Sequence, residues 1–244
     1  IVQGKLHSHF ILDMIQGGAG TSTNMNANEV IANRAIEIRG GKRGEYELCH
    51  PNNHVNLSQS TNDAYPSALK IAMAKSNQML VYALKQLIES FRARGREFSH
   101  VIKMGRTQLQ DAVPMTLGQE FEAYAVTLEE EITNLERNAE QMLELNMGGT
   151  AIGTGLNAAP EFGEKSVEHL RRITGLKVRN ADNLIEETQS TGAFVNYSAA
   201  LKHLAIKLSK ICNDLRLLSS GPRAGFNEIN LPPRQPGSSI MPGK

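Results

Sequence analysis

Residues Thr116–Met142 read TLGQEFEAYAVTLEEEITNLERNAEQM and carry the strongest structural signal of the chain. Apolar residues recur there in alternating steps of three and four, which is the spacing of one face of an α-helix. These residues are Leu117, Phe121, Tyr124, Leu128, Ile132, Leu135, Ala139 and Met142. Thr116 and Gln119 have the spacing of a capping box, which satisfies backbone N–H groups at a helix N-terminus. The stretch predicts one helix of roughly 30 residues, or about 45 Å.

Two further stretches have the same period and a similar length. The first has an apolar face made of Leu69, Met73, Leu80, Leu84, Leu87 and Phe91. The second is expected to end before Gly221-Pro222, and its face comprises Ala193, Tyr197, Ala200, Leu204, Leu208, Ile211, Leu215 and Leu218. Helices of this length need partners along their whole apolar faces, and three of them cannot cover one another fully. We therefore expect a mainly α fold, a long-helix bundle completed by further helices, other subunits or both.

The composition is that of a globular protein without a dominant charge. The 244 residues are 40% hydrophobic, and the formal net charge is +1. We expect no nucleic-acid and no membrane partner, because acidic and basic residues are interspersed and no apolar run approaches the roughly 20 residues that span a bilayer. Cys49 and Cys212 lie far apart without CxxC spacing, which favours a reducing, cytoplasmic location over a disulfide framework or a zinc site.

Four blocks of the chain are rich in hydroxyl and amide side chains and poor in charge. They are Gly20–Asn24 (GTSTN), Ser58–Asn62 (SQSTN), Gly105–Gln108 (GRTQ) and Gly237–Lys244 (GSSIMPGK). Neutral hydrogen-bond donors together with one lysine suit the binding of carboxylates and of negative charge that develops during a reaction. Such loops also serve as helix caps and turns, and the residues alone leave both interpretations open.

The first two blocks each precede a predicted helix. The helical pattern after the first block runs through Val30, Ile31, Ala35 and Ile38. Asn62 or Asp63 is expected to cap the second of these helices, with Pro66 in its first turn. The third block is expected to be a loop before the second long helix, and the glycine-rich segment Gly148–Gly163 a turn between helices.

Other kinds of active site fit the sequence less well. The chain has no HExxH or GxSxG motif, and Gly148–Gly163 lacks both GK[ST] and a preceding predicted strand. His50 and His54 have helical spacing but lie in a segment rich in Pro and Asn, which weakens a metal interpretation. We expect neither a metal nor an organic cofactor.

In this order, GGAGTSTNMNANE, NHVNLSQSTNDAYP, KMGRTQLQDAVPMTLGQE and GSSIMPGK resemble the motifs of the aspartase/fumarase superfamily, most closely its aspartate ammonia-lyase branch. The last motif matches the superfamily's GSSxMPxK signature, and the likeness covers essentially the whole chain. The resemblance implies a homotetramer whose central helices form one twenty-helix bundle, with each active site shared between three subunits. Family members are longer, so we expect a central fragment. Residues 1–61 would be the C-terminal part of an N-terminal domain, and residues 62–244 the central long-helix domain.

The resemblance also implies a reaction, the reversible elimination of ammonia from L-aspartate to give fumarate. Ser238 aligns with the general base that removes a proton from the carbon next to the β-carboxylate. A serine hydroxyl is ordinarily far too weak a base, so its alkoxide would need stabilisation from nearby N–H groups and from Lys244. Removal of the proton gives an aci-carboxylate that carries an additional negative charge.

The other matched positions are expected to contact the substrate. The aci-carboxylate would be bound by Ser60, Thr61 and Ser239. The α-carboxylate would be bound by Thr107 and Lys244. The leaving amine would lie near Thr21 and Asn62.

One position departs from the family's pattern. Fumarases and some aspartases have histidine after Gly-Arg-Thr, whereas this chain has Gln108. Glutamine can contact a substrate through hydrogen bonds but cannot shuttle a proton near neutral pH, so an acid role at this position is in doubt. The change argues against fumarate hydratase, which remains an alternative together with a non-catalytic helical assembly that has kept the scaffold.

Overall fold

The computed structural model describes residues 1–234 and shows a mainly helical chain, as expected. The helices are α1 (Thr21–Ile38), α2 (Thr61–Glu97), α3 (Leu117–Glu140), α4 (Phe162–Thr174), α5 (Leu184–Gln189) and α6 (Gly192–Leu218). The three longest, α2, α3 and α6, are the three helices that the apolar periodicity predicts. Each helix between residues 1 and 234 is too short or too polar to cross a lipid bilayer.

Two small sheets join the helices. Strands β1 (Ile102–Thr107) and β2 (Gln110–Thr116) form an antiparallel hairpin, and β3 (Glu144–Leu145) pairs in parallel with β4 (Arg179–Asn180). The expectation of a loop at Gly105–Gln108 is therefore wrong, because most of this block belongs to β1. A single π-helical turn, Pro51–Val55, and short 3-10 turns at His7–His9 and Gln141–Leu143 complete the elements that the structure describes.

The chain divides into two compact units. The first contains Ile1–Gln78 and Arg137–Asn196, and the second contains Met79–Glu136 and the described residues from Tyr197 onward. The boundaries at residues 61 and 62, which follow from the resemblance, concern domains of the longer relatives and remain a prediction.

The apolar face of α3 is confirmed. All of its predicted residues are buried except Ile132, which is half-buried. The capping box is also confirmed, since Thr116 N–H donates to Gln119 Oε1 at 2.9 Å and Gln119 N–H donates to Thr116 Oγ1 at 3.2 Å. Helix α6 likewise buries most of its predicted face and ends before Gly221-Pro222.

The predicted face of α2 is mostly wrong. Of its six residues only Leu84 is buried, and Leu69 and Leu87 are exposed. The buried side chains of this helix instead include polar ones, which are Asp63, Ser67, Lys70 and Asn77, alongside Ala74, Val81, Leu84 and Ile88. The apolar pattern of α1 likewise does not coincide with its buried face. The buried residues of this helix are Asn28, Ala32 and Ile36, and not the residues of the pattern, which are Val30, Ile31, Ala35 and Ile38.

Paired polar groups explain how α2 buries this face in the first unit. Lys70 forms an ion pair with Glu187, and its ammonium also donates to the backbone oxygen of Glu144 at 2.9 Å. A buried cation is tolerated when it is paired and hydrogen-bonded. Near it, an apolar core forms from Leu145, Met147, Val167 and Val178.

Candidate active site

Helix α2 begins at the block that contains Ser60, Thr61 and Asn62. Ser60 is the N-cap residue, since its Oγ accepts a hydrogen bond from Asn62 N–H at 3.1 Å. Asp63 Oδ1 accepts from Ser60 N–H at 2.9 Å, which completes a capping box across three residues. The expectation that Asn62 or Asp63 caps the helix is thus wrong for Asn62, while Asp63 serves as the reciprocal acceptor.

The two hydroxyl groups of this block are oriented by neighbouring donors. Thr61 Oγ1 accepts a hydrogen bond from Asn24 Nδ2 at 3.0 Å, as Ser60 Oγ does from Asn62 N–H. Each contact uses an oxygen lone pair, so each O–H group can still donate to a ligand. Ser60 and Thr61 are half-buried and lie at the positive end of a long helix, a location that favours an anion.

The N-terminus of α1 lies against the same end of α2. Gly20 has a φ of +83°, and a Cβ atom added there would lie 2.4 Å from the Tyr65 ring of α2. Only glycine therefore permits this close approach. Thr21 is the first residue of α1 and is exposed, and Asn24, one turn later, makes the contact with Thr61. The structure thus brings the first and second polar blocks together.

A buried carboxylate ties this block to the glycine-rich segment. Asp63 has no exposed surface, and its Oδ2 accepts from Thr150 N–H at 3.0 Å. Burial raises the pKa of Asp63, while N–H donors, among them those of Ser60 and Thr150, act in the opposite direction. Asn62 Nδ2 donates to Ala151 O at 2.7 Å, so the amide nitrogen is occupied and the side-chain oxygen keeps its capacity to accept from a ligand as far as residues 1–234 are concerned.

The third block lies on the hairpin of the second unit. Thr107 is the last residue of β1 and pairs with Gln110, and both Thr107 and Gln108 are exposed. Gln108 and Leu109 form the turn with φ values of +51° and +63°. Two successive positive φ values are those of a type I′ hairpin turn, which is usually built from Asn and Gly. The sequence signal for this hairpin is therefore weak.

Ser238, Ser239 and Lys244 lie outside the described residues. Of the remaining candidates, Thr21, Ser60, Thr61 and Asn62 belong to the first unit, and Thr107 and Gln108 belong to the second.

The prediction of site residues missed four side chains of the hydrogen-bond network around this first-unit group. Asp63 could have been found from the sequence, because the spacing Ser-x-x-Asp from Ser60 to Asp63 is typical of a capping box. No sequence pattern identifies Asn24, Asn56 and Asn146. Their side chains contact Thr61, Asn28 and Asn62 respectively, and these contacts join residues that lie 28 to 84 positions apart in the chain.

The two histidines near the second block serve the backbone. His50 Nδ1 accepts from the N–H groups of Asn52 and Asn53 at 3.1 and 3.3 Å, and His54 Nδ1 accepts from His50 N–H at 2.8 Å. These contacts fix the π-helical turn at Pro51–Val55. The helical spacing of His50 and His54 is therefore explained by their hydrogen bonds to the backbone of this turn.

The long helices, with two hydroxyl groups oriented at the N-terminus of α2, define a mainly helical framework. The chain belongs to the Lyase family, whose family model matches residues 1–244. Aspartate ammonia-lyase of Helicobacter pylori is 62% identical over 244 residues, which are 100% of this chain and 52% of that protein. Aspartate ammonia-lyase of Escherichia coli is 57% identical over 241 residues, which are 99% of this chain and 50% of that protein.

Solved structures give the same result for the fold. The structure of fumarate lyase:delta crystallin from Brucella melitensis bound to cobalt matches with a TM-score of 0.95 at 57% identity, over 99% of this chain and 53% of that one. Class II fumarase from Schistosoma mansoni matches with a TM-score of 0.90 at 37% identity, over 99% of this chain and 54% of that one. The superfamily fold is confirmed, and the chain spans about half the length of the curated relatives it matches.

Proposed function

We propose that the complete protein to which this chain belongs is an aspartate ammonia-lyase, which converts L-aspartate reversibly into fumarate and ammonia. The observation that carries this proposal is that the hydroxyl oxygens of Ser60 and Thr61 both accept hydrogen bonds from neighbours. Their O–H groups remain as donors for the carboxylate of a substrate at the N-terminus of α2. Identities of 62% and 57% to proteins named aspartate ammonia-lyase support the same reaction.

The proposed reaction begins at the substrate's β-carbon. Ser238, as an alkoxide, takes a proton from Cβ, and the electron pair of the C–H bond moves into the β-carboxylate. The resulting aci-carboxylate is stabilised by hydroxyl donors from Ser60, Thr61 and Ser239. The electron pair then returns to form the carbon–carbon double bond while the Cα–N bond breaks. Ammonia leaves, and Ser238 gives its proton back to solvent.

The remaining residues hold the other end of the substrate. Thr107 donates to the α-carboxylate, and Lys244 adds the positive charge. The side-chain oxygen of Asn62 accepts from the substrate's ammonium group, with Thr21 close by. Gln108 contributes hydrogen bonds and no proton transfer, which suits an amine that leaves as ammonia without a histidine acid.

The assembly expected from the resemblance is also part of the proposal. We infer a homotetramer with active sites shared between three subunits, in a cytoplasmic location. Large apolar side chains on the long helices support partner helices, since Met79, Tyr82, Val126 and Ile206 are all exposed in the single chain. Cys49 and Cys212 are free thiols, in keeping with a reducing compartment.

A spectrophotometric assay of the protein expressed from its complete reading frame tests the proposed reaction. Fumarate absorbs in the ultraviolet, so its formation can be followed separately from L-aspartate and from L-malate. We expect fumarate from L-aspartate and none from L-malate. The opposite substrate preference would identify a fumarate hydratase, and no activity with either would support a non-catalytic scaffold.

Thr107→Val is expected to weaken substrate binding without disturbing the hairpin. Valine keeps the β-branched shape at the end of β1 but removes the hydroxyl donor to the α-carboxylate. A hydrogen bond to a charged group is worth about 1.5–3 kcal/mol, so kcat/KM should fall roughly 10- to 100-fold, mainly through KM. Thr107→Ser keeps the donor and should retain most of the activity. Equal kinetics for the two variants would contradict the assigned contact.

A further inference from the structure

Three asparagines, Asn24, Asn28 and Asn56, form a hydrogen-bonded cluster between the first two polar blocks. Asn56 Oδ1 accepts from Asn24 Nδ2 at 3.3 Å and from Asn28 Nδ2 at 3.0 Å. Asn24 Nδ2 also donates to Thr61 Oγ1 at 3.0 Å. The asparagine cluster therefore ends on a hydroxyl group that the proposed function assigns to the substrate's carboxylate.

The backbone brings the three side chains of this cluster together. Asn24 and Asn28 lie four residues apart on α1, a spacing that puts them on one face of the helix. Asn56 follows the π-helical turn, where its N–H group donates to Pro51 O at 2.9 Å. Asn28 is buried, and Asn24 and Asn56 are half-buried. Amide groups withdrawn from water in this way need hydrogen-bond partners, and the cluster supplies them.

One backbone carbonyl determines the direction of the hydrogen bonds in the cluster. Asn56 Nδ2 donates to Gln59 O at 3.2 Å, and a carbonyl oxygen has no hydrogen to give. The nitrogen of the Asn56 amide therefore faces Gln59, and its oxygen faces Asn24 and Asn28. Both of these α1 residues must then turn their NH₂ groups toward that oxygen. Met25 Sδ, which can only accept, lies 3.9 Å from Asn28 Nδ2 and agrees with this orientation.

The direction of these hydrogen bonds fixes the hydroxyl group of Thr61. Asn24 has two amide hydrogens, of which one goes to Asn56 Oδ1 and the other to Thr61 Oγ1. Because Oγ1 accepts in this contact, the hydroxyl hydrogen of Thr61 points away from Asn24 and can donate to a ligand. With an oxygen in place of the Asn24 nitrogen, the hydroxyl hydrogen would turn toward that oxygen, and the ligand would lose its donor.

We propose that Asn24 and Asn56 are positioning residues that hold the Thr61 hydroxyl as a hydrogen-bond donor toward the substrate. This inference rests on the proposed function, in which Thr61 stabilises the aci-carboxylate. A donor whose direction is fixed before the reaction stabilises developing charge without reorganisation during the chemical step. The two asparagines act through Thr61, and the loss of either should therefore appear mainly in kcat.

Asn24→Asp reverses the hydrogen bond to Thr61 with almost no change of shape. The ionised carboxylate can only accept, so it would take the Thr61 hydrogen for itself. In the complete enzyme we expect kcat for L-aspartate to fall about 100-fold, as in Thr61→Val, because that is the cost of one lost donor to a developing negative charge. Asn24→Ala removes the amide without adding an acceptor and should lose less. A smaller loss in Asn24→Asp than in Asn24→Ala would overturn the proposal.

The double variant Asn24→Asp/Thr61→Val separates this effect from repulsion between the new charge and the substrate. Without a hydroxyl group to redirect, the carboxylate should lower kcat by at most about twofold relative to Thr61→Val alone. A second loss of about 100-fold would show that the charge acts directly on the substrate. That outcome would overturn the positioning role of Asn24.

Hydrogen exchange tests the physical link without reference to activity. In Asn56→Ala, amides of residues 59–63 are expected to exchange about tenfold faster, because the segment before α2 loses its contacts with α1. Asn26→Ala is the matched control, since Asn26 is also half-buried but donates to His9 O. It should leave these amides unchanged, and unchanged exchange in Asn56→Ala would overturn the link. A wild-type enzyme inactive with L-aspartate refutes the proposed function instead, and the exchange result then decides the link alone.

Discussion

Ser238→Ala is expected to abolish turnover of L-aspartate. General acid–base catalysis contributes roughly 10²–10⁴-fold, so kcat should fall by at least that range. The substrate contacts assigned to Ser60, Thr61 and Ser239 remain, and therefore KM should change far less than kcat. The signature serine is thus predicted to act on the chemical step and not on binding.

Isotope exchange makes this prediction specific to proton abstraction. In heavy water the wild-type enzyme should exchange the Cβ hydrogen of L-aspartate that it removes, and Ser238→Ala should not. The matched control is Ser90→Ala, because the exposed Ser90 hydroxyl donates to Gln86 O at 2.8 Å within α2. Both variants should keep the oligomeric state of the wild type by size-exclusion chromatography. An undiminished rate or exchange in Ser238→Ala would remove this residue from the mechanism.

The accuracy of the fold prediction depended on what each helix buries. Helix α3 buries an almost purely apolar stripe, and its periodicity alone located both the helix and its face. Helix α2 was located equally well, but its buried face includes Ser67, Lys70 and Asn77. Burial of Lys70 depends on Glu187, which lies 117 residues further along the chain. A local apolar pattern contains no information about such a pair.

The hairpin was missed for a related reason. Its turn places Gln108 and Leu109 at positive φ, where the sequence signal for a type I′ turn requires Asn or Gly. The chain adopts this turn because the flanking strands pair from Ile102 to Thr116. Pairing of the two strands therefore overrides the preference of Gln108 and Leu109 for negative φ.

The candidate site shows the same division between local and distant information. The motifs located Ser60, Thr61 and Asn62, and the structure places them at the start of α2 next to the N-terminus of α1. What orients them is distant in sequence, since Asn24 reaches Thr61 and Asn62 reaches Ala151. Residues of a motif can therefore be recognised from the sequence, while the residues that position them need the fold.

Asp63→Asn is expected to destabilise the fold through this positioning network. The two carboxylate oxygens of Asp63 accept from Ser60 N–H and Thr150 N–H, whereas asparagine offers one acceptor oxygen. One buried N–H group would then face the new NH₂ group without an acceptor. An unsatisfied buried donor costs about 1–3 kcal/mol. Burial raises the pKa of Asp63, which means that desolvation of the carboxylate offsets part of the stability that its hydrogen bonds contribute. We therefore expect the free energy of unfolding to fall by about 2 kcal/mol.

Chemical denaturation at fixed protein concentration measures this loss, because the stability of an oligomer depends on concentration. Asp182→Asn, an exposed aspartate of the same unit, is the control and should stay within about 0.5 kcal/mol of the wild type. Activity gives a second readout. Asp63 holds both Ser60 and the segment at Thr150, so Asp63→Asn should lower kcat/KM even at temperatures where it is fully folded. A folded variant with wild-type kinetics would show that the cap stabilises α2 without positioning the hydroxyl donors.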